Sequence, residues 1–209
     1  MTAQNRVMPT GEIAASPLRC RWMGNRGCLH APSTEARRAR EVRRAYALRR
    51  WITCETNFRG RRALQWAPGR YTVLFLYDDA VAFAAGHRPC AQCRYRDYRA
   101  YMDCWAVANG GPAKADDVDV RLHADRLADD GRQRTHRRAW RDLPDGTFVL
   151  APDGRPARVE RDALRAWANE LGYADDPVPR PTAGDATVLT PAATVDVLVA
   201  GYPLDQVDH

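Results

Sequence analysis

Apolar and polar positions change period several times along the chain, and each change marks an element. Tyr71-Thr72-Val73-Leu74-Phe75-Leu76, after the Pro68-Gly69 turn, predicts a buried strand. Asp78 or Asp79 then caps a short helix over 80–85, which Gly86 ends. Tyr98, Tyr101, Met102 and Trp105 recur at helical spacing and predict an amphipathic helix over 94–107, closed by Asn109-Gly110-Gly111-Pro112. A third helix is expected over 117–127, followed by a polar, basic stretch to Arg138. From Leu143 the turns Pro144-Asp145-Gly146 and Pro152-Asp153-Gly154 bracket a strand at 147–150, and 156–160 reads as its hairpin return. A short helix over 162–171, a strand over 187–190 and a last helix over 194–200 complete the expected order. Upstream, Ser33 or Thr34 caps an expected helix over 35–50 whose apolar stripe, Ala39, Val42 and Tyr46, is narrow. Residues 1–18, with Pro9, Gly11 and Pro17, read as a loose arm.

Charge changes this picture. The 209 residues carry a net charge of +6, and all but Lys114 of the 32 basic residues are arginine. Residues 1–99 hold a net +12 and residues 100–209 a net −6. An Arg-rich half points to a phosphate-bearing or otherwise anionic partner, because guanidinium is planar, bidentate and weakly hydrated. A genomic preference for Arg over Lys explains the ratio equally well, but not the asymmetry. No apolar run approaches the ~18 residues that span a bilayer, and the first 16 residues lack the pattern of a signal peptide, so a cytoplasmic protein without a membrane partner is expected. In that compartment the six cysteines stay reduced, which favours metal over disulfides.

Cys90-Ala91-Gln92-Cys93 is the sharpest motif. A C-x-x-C knuckle lets two thiolates grip one tetrahedral Zn²⁺, with the intervening amides donating to sulfur. Arg88, Arg94 and Arg96 around it favour the thiolates. Redox dithiols share the motif, but no thioredoxin-like βαβ pattern surrounds it. For the remaining ligands the expected pair is Cys28 and Cys54, with His30 or Cys20 as substitutes for Cys28; Cys104 sits on the apolar stripe of its helix and reads as a core thiol.

The segment from Leu74 to Arg94, with Ala84-Ala85-Gly86-His87-Arg88-Pro89-Cys90-Ala91-Gln92-Cys93-Arg94 at its end, resembles the zinc-binding segment of the adaptive-response (Ada) DNA repair family. The resemblance covers about a tenth of the chain and implies that Cys90 and Cys93 ligate zinc. That family takes its other two ligands from a C-x-x-x-C, one of which accepts a methyl group from a DNA phosphotriester. This chain has no C-x-x-x-C, and His87 stands where the family has an aromatic. The resemblance therefore favours a structural zinc over methyl transfer.

Other polar groups are less specific. Asp119 and His123 lie four apart on one predicted helix face, with Arg126 beyond them, and fit either a general base or a solvated ion pair. His87 could donate to the zinc knuckle from behind or be a loop residue, and Trp22, Trp51 and Trp66 suit either base stacking or the core. No phosphate loop, nucleophile elbow or H-E-x-x-H helix is present, which removes the common nucleotide-hydrolase, acyl-hydrolase and metalloprotease readings.

The expected fold class is α+β, a small zinc-stabilised N-terminal domain with amphipathic helices and a small mixed C-terminal region. Its divisions are a flexible arm (1–18), an Arg-rich zinc domain (19–110), a helical connector (111–140) and an acidic α+β region (141–209). The expected function is a Zn²⁺ protein that binds nucleic acid, DNA favoured, through Arg37, Arg40, Arg44, Arg61, Arg62, Arg88 and Arg94. The alternatives are a zinc-containing enzyme, either a nuclease using Asp119 and His123 or a thiolate methyl acceptor, and a module that docks a protein partner.

Overall fold

The computed structural model describes residues 2–31, 33 and 38–204 and has a mixed α+β architecture with two sheets. The first sheet is built from β1 (Gln4–Val7), β2 (Ile13–Ala15), β3 (Trp22–Asn25), β4 (Ile52–Cys54), β5 (Leu74–Leu76) and β6 (Arg88–Pro89), in the order β2-β1-β5-β3-β4-β6. Most neighbours are antiparallel, but β1 runs parallel to β5 and β4 parallel to β6. β6 lies at the sheet edge, where Pro89 removes no ladder donor that a further strand would need.

Four helices lie wholly within the described residues and follow the order of the sequence pattern: α1 (Asp79–Ala84), α2 (Tyr95–Ala108), α3 (Ala115–Arg126) and α4 (Ala192–Val199). The expectation for α1 holds in detail. The Asp78 carboxylate accepts from the Val81 amide at 2.8 Å, and Gly86 closes the helix at φ 78°. All six α1 residues are buried, as an apolar helix without a polar face requires. Ala82 packs under the first sheet, Phe83 joins α2, α3 and α4 through Tyr101, Leu122 and Val197, and Ala80, Val81 and Ala84 meet Phe148, Trp167 and Leu189 of the C-terminal half. This short helix is the hub that joins three apolar clusters.

The second sheet runs β11 (Gly172–Tyr173), β10 (Ala163–Ala168), β9 (Pro156–Glu160), β8 (Phe148–Leu150), β13 (Asp185–Val188) and β7 (His136–Ala139), with β12 (Val178–Pro179) beside β10. The hairpin expected at 147–160 is β8–β9. The expected helix over 162–171 is instead β10, joined to β9 by the two residues Arg161-Asp162, with Arg161 at φ 52°. Its Ala, Leu and Arg are good helix formers, and pairing on both sides with β9 and β12 overrides that propensity.

Two further expectations are corrected. Of the loose arm expected over 1–18, residues 2–18 are ordered into the fold: β1 and β2 are part of the first sheet, and Val7, Met8, Ile13 and Leu18 are core residues. Of the Arg-rich helix expected over 35–50, residues 38–39 are helical and 40–50 are not, while residues 34–37, Arg37 included, lie outside the described residues. Arg40 sits at φ 54°, and the amides of Arg43, Ala47 and Leu48 donate to Leu29 and Arg26 carbonyls rather than within a helix. A helix with arginines three and four apart on several faces and only a narrow apolar stripe gains too little from packing to offset their repulsion. The segment forms an extended, exposed strap instead.

Candidate metal centre

Parallel pairing of β4 with β6 sets Thr53 opposite Pro89, so the next residues of the two strands, Cys54 and Cys90, leave the ladder side by side. The Cys90 amide donates to the Thr53 carbonyl at 2.9 Å and fixes that approach. The turn 90–94, closed by the Arg94 amide on the Cys90 carbonyl at 3.1 Å, brings Cys93 back to the same point. The three Sγ atoms all lie within 4.8 Å of one another. The Gln92 amide donates to Cys90 Sγ and the Glu55 amide to Cys93 Sγ, each at 3.4 Å. Such amide donors stabilise negative sulfur, as a thiolate knuckle requires.

Hydrogen bonds from the neighbouring Cys54 and Cys93 thiols, together with the local amides, pull the Cys90 thiol far below its usual pKa. Cys54, which donates to both neighbours and is half-buried, is pushed far up in the absence of a cation. Three thiols this close cannot all ionise unless a positive charge sits among them. The donor set fits a soft, thiolate-preferring ion, and all six cysteines are free.

Arg94 locks the knuckle from behind. Its guanidinium donates to Asp79 at 2.7 and 3.0 Å, to Asp97 at 2.7 Å and to Thr53 at 2.8 Å, with its Cζ 3.6 Å from the Trp22 ring. The start of α2, the end of β4 and the start of α1 thus converge on one buried cation. Arg88 forms a bidentate pair with Asp119, 2.9 and 2.6 Å, with both side chains buried.

The expected site residues divide accordingly. Cys54, Cys90 and Cys93 come together, whereas Cys28 is not among them: its Sγ donates to the His30 carbonyl at 3.7 Å. His30 uses both ring nitrogens, on Thr72 at 2.7 Å and Ala67 at 3.2 Å. Burial raises the Cys20 thiol to about 11 and raises Cys104 as well, so neither is a ready thiolate. Arg88 and Arg94 are corrected as nucleic-acid contacts, because both are buried and held by carboxylates. Arg40, Arg44, Arg61 and Arg62 are exposed. Asp119 is engaged by Arg88, while His123 is held by Arg126 at 2.9 Å and stacks edge-on against Tyr46. Burial and the charges of Arg126 and Arg49 lower the His123 pKa, which keeps its ring neutral.

Comparison with family models, with curated proteins and with solved structures gives no match. The site must therefore be read from its own chemistry. Among the described residues no helix is long and apolar enough to cross a membrane.

Two features were missing from the sequence reading. One is the Asp79–Arg94–Asp97 clamp, whose only local trace was the i,i+3 spacing of Arg94 and Asp97. The other is the pair of buried arginines, Arg26 and Arg126, which lie 100 positions apart and share one tryptophan, Trp51.

Proposed function

We propose that the chain is a zinc protein in which Cys54, Cys90 and Cys93 hold Zn²⁺, and that the ion staples the edge of the first sheet to the start of α2 beside an arginine-rich nucleic-acid-binding surface. The observation that carries the zinc reading is the convergence of three thiols, two of them from one C-x-x-C, with amides donating to sulfur. Bound zinc would supply the positive charge that lets all three sulfurs ionise, and three protein ligands leave one coordination position for water or another group.

The nucleic-acid reading rests on the strap and the loop that flank Cys54 in sequence. Nine arginines between 38 and 62 (Arg38, Arg40, Arg43, Arg44, Arg49, Arg50, Arg59, Arg61 and Arg62) are exposed, with only Glu41 and Glu55 as acids in that span. Of these arginines, only Arg50 forms an ion pair among the described residues, with Asp116 at 3.1 Å and Asp119 at 3.8 Å. Unpaired surface guanidiniums in one stretch are suited to phosphate contacts, which fix affinity rather than sequence preference.

Fluorescence anisotropy with labelled duplex and single-stranded DNA tests this. If about six phosphates are contacted, affinity falls about a thousandfold between 50 and 200 mM salt. The double variant Arg61→Ala/Arg62→Ala flattens the log–log salt slope by about two. Absence of binding at low salt, or binding that salt leaves unchanged, contradicts the nucleic-acid reading and leaves the zinc reading standing.

A further inference from the structure

A cavity of about 420 Å³ is lined by Arg26, Trp51, Arg126, Arg132, Gln133 and Glu12, among others. Arg26 is 0% exposed and Arg126 2%. The Cζ atoms of both guanidiniums lie 3.8 Å from the Trp51 ring. Neither forms an ion pair among the described residues. Arg26 donates to the Gly11 carbonyl at 2.8 Å and to His87 Nε2 at 3.2 Å; Arg126 donates to the carbonyls of Gly86, at 2.8 Å, and Arg49. Arg26 Nη2 and Arg126 Nε are buried with no hydrogen-bond partner among the described residues.

Buried cations are ordinarily paired, because an unbalanced charge out of water costs several kcal/mol. Here three buried arginines, Arg26, Arg88 and Arg126, face one buried carboxylate, Asp119, which Arg88 already occupies. His87 does not compensate: it is neutral, since burial and the two arginine charges hold its pKa well below the usual value. The cavity lining holds three arginines against one acid, the exposed Glu12, so a positive excess remains beside a cavity large enough for a small molecule. Exposed Arg132, 3.6 Å from Asp130, stands at the rim. The sandwich on Trp51 holds both guanidiniums in place before any ligand arrives, which reduces the ordering cost of binding.

We propose that this cavity binds a phosphate-bearing small molecule, whose dianion supplies the counter-charge that Arg26 and Arg126 lack. Guanidinium forks match phosphate oxygens bidentately, and a small side-chain shift would turn the two unpartnered N–H groups, sealed from solvent in the empty cavity, toward such a ligand. The site is distinct from the thiol cluster and does not depend on the zinc or nucleic-acid readings.

The test uses the full chain. Thermal unfolding and calorimetric titration are run with inorganic phosphate and with ribose 5-phosphate, against sodium chloride at matched ionic strength. Phosphate is expected to raise the unfolding temperature in proportion to the logarithm of its concentration, beyond any chloride effect. Tighter binding of ribose 5-phosphate assigns a phosphate monoester as the source, and equal affinity assigns free phosphate. Arg26→Met is expected to abolish binding. Arg132→Ala, on the exposed rim and outside the core, is expected to weaken it about tenfold. No stabilisation of the unmodified chain beyond matched chloride overturns the proposal, as does full phosphate affinity in Arg132→Ala.

Discussion

Removing the metal, by chelation or by Cys90→Ser, is expected to lower the unfolding temperature of the reduced, zinc-loaded protein by about 8–16 °C. The size follows from linkage: a ligand present at a thousand times its Kd stabilises the folded state by about 4 kcal/mol, and for a chain of this length each kcal/mol moves the midpoint by about 2–4 °C. The direction follows from the architecture, because β4, β6 and the start of α2 meet at the three sulfurs, and without a cation one thiolate and two thiols are left crowded within 4.8 Å. Cys93→Ser should match Cys90→Ser, whereas Cys28→Ser should leave both the transition and its sensitivity to chelator unchanged, since that sulfur lies outside the cluster. The metal-dependent part of the stability should also shrink on acidification. Ligand thiolates must be deprotonated, so binding releases protons and weakens as pH falls. Differential scanning calorimetry with and without chelator, at neutral pH and near pH 5, reads all of these effects.

The second large effect is expected at Asp119. Asp119→Ala removes the only carboxylate that pairs with buried Arg88 among the described residues and should cost about 3–5 kcal/mol, because the guanidinium is left uncompensated in the core. The loss is compounded by Arg126 nearby, whose charge Asp119 partly offsets. The apolar double variant Arg88→Met/Asp119→Leu should recover most of that loss, since replacing a buried pair by side chains of similar volume is often neutral or better. Chemical denaturation of the unmodified chain and the two variants compares these costs directly. Equal destabilisation in the single and double variants would mean that Asp119 is needed for something other than pairing Arg88, which would restore interest in it as a reactive group beside His123.

What the sequence made legible was local. The cap at Asp78, the glycine stop at Gly86, the helical recurrence of Tyr98, Tyr101 and Trp105 and the turns around 147–160 each act within a few residues, and each element is found where those signals put it. Cys90 and Cys93 belong to the same class, since a knuckle is a local turn. Cys54 was one of several candidates, and what selects it over Cys28 is the parallel pairing of β4 with β6, a contact between distant segments with no local trace. The same reason hid the roles of Arg88 and Arg94. Both look like surface charges flanking a metal loop, but their partners Asp119 and Asp79 lie 31 and 15 positions away. The strap at 40–50 was misread in the opposite sense: its composition suits a helix locally, yet its backbone donors are taken up by Leu29 and Arg26. The charge asymmetry between halves also sharpens on inspection. Among the described arginines in residues 1–99, Arg26, Arg88, Arg94 and Arg6 are wholly or partly buried and work inside the fold, so the cationic surface is narrower than the count suggests and is concentrated between 38 and 62.

The central claim, that three thiolates of this chain hold a zinc ion, is tested most directly by native mass spectrometry of the reduced protein after zinc loading and exhaustive dialysis. The account predicts one zinc per chain, bound with loss of the thiol protons, retained in Cys28→Ser and lost in Cys54→Ser, Cys90→Ser and Cys93→Ser. A metal-free mass for the unmodified chain, or one zinc retained in the triple variant Cys54→Ser/Cys90→Ser/Cys93→Ser, would contradict it.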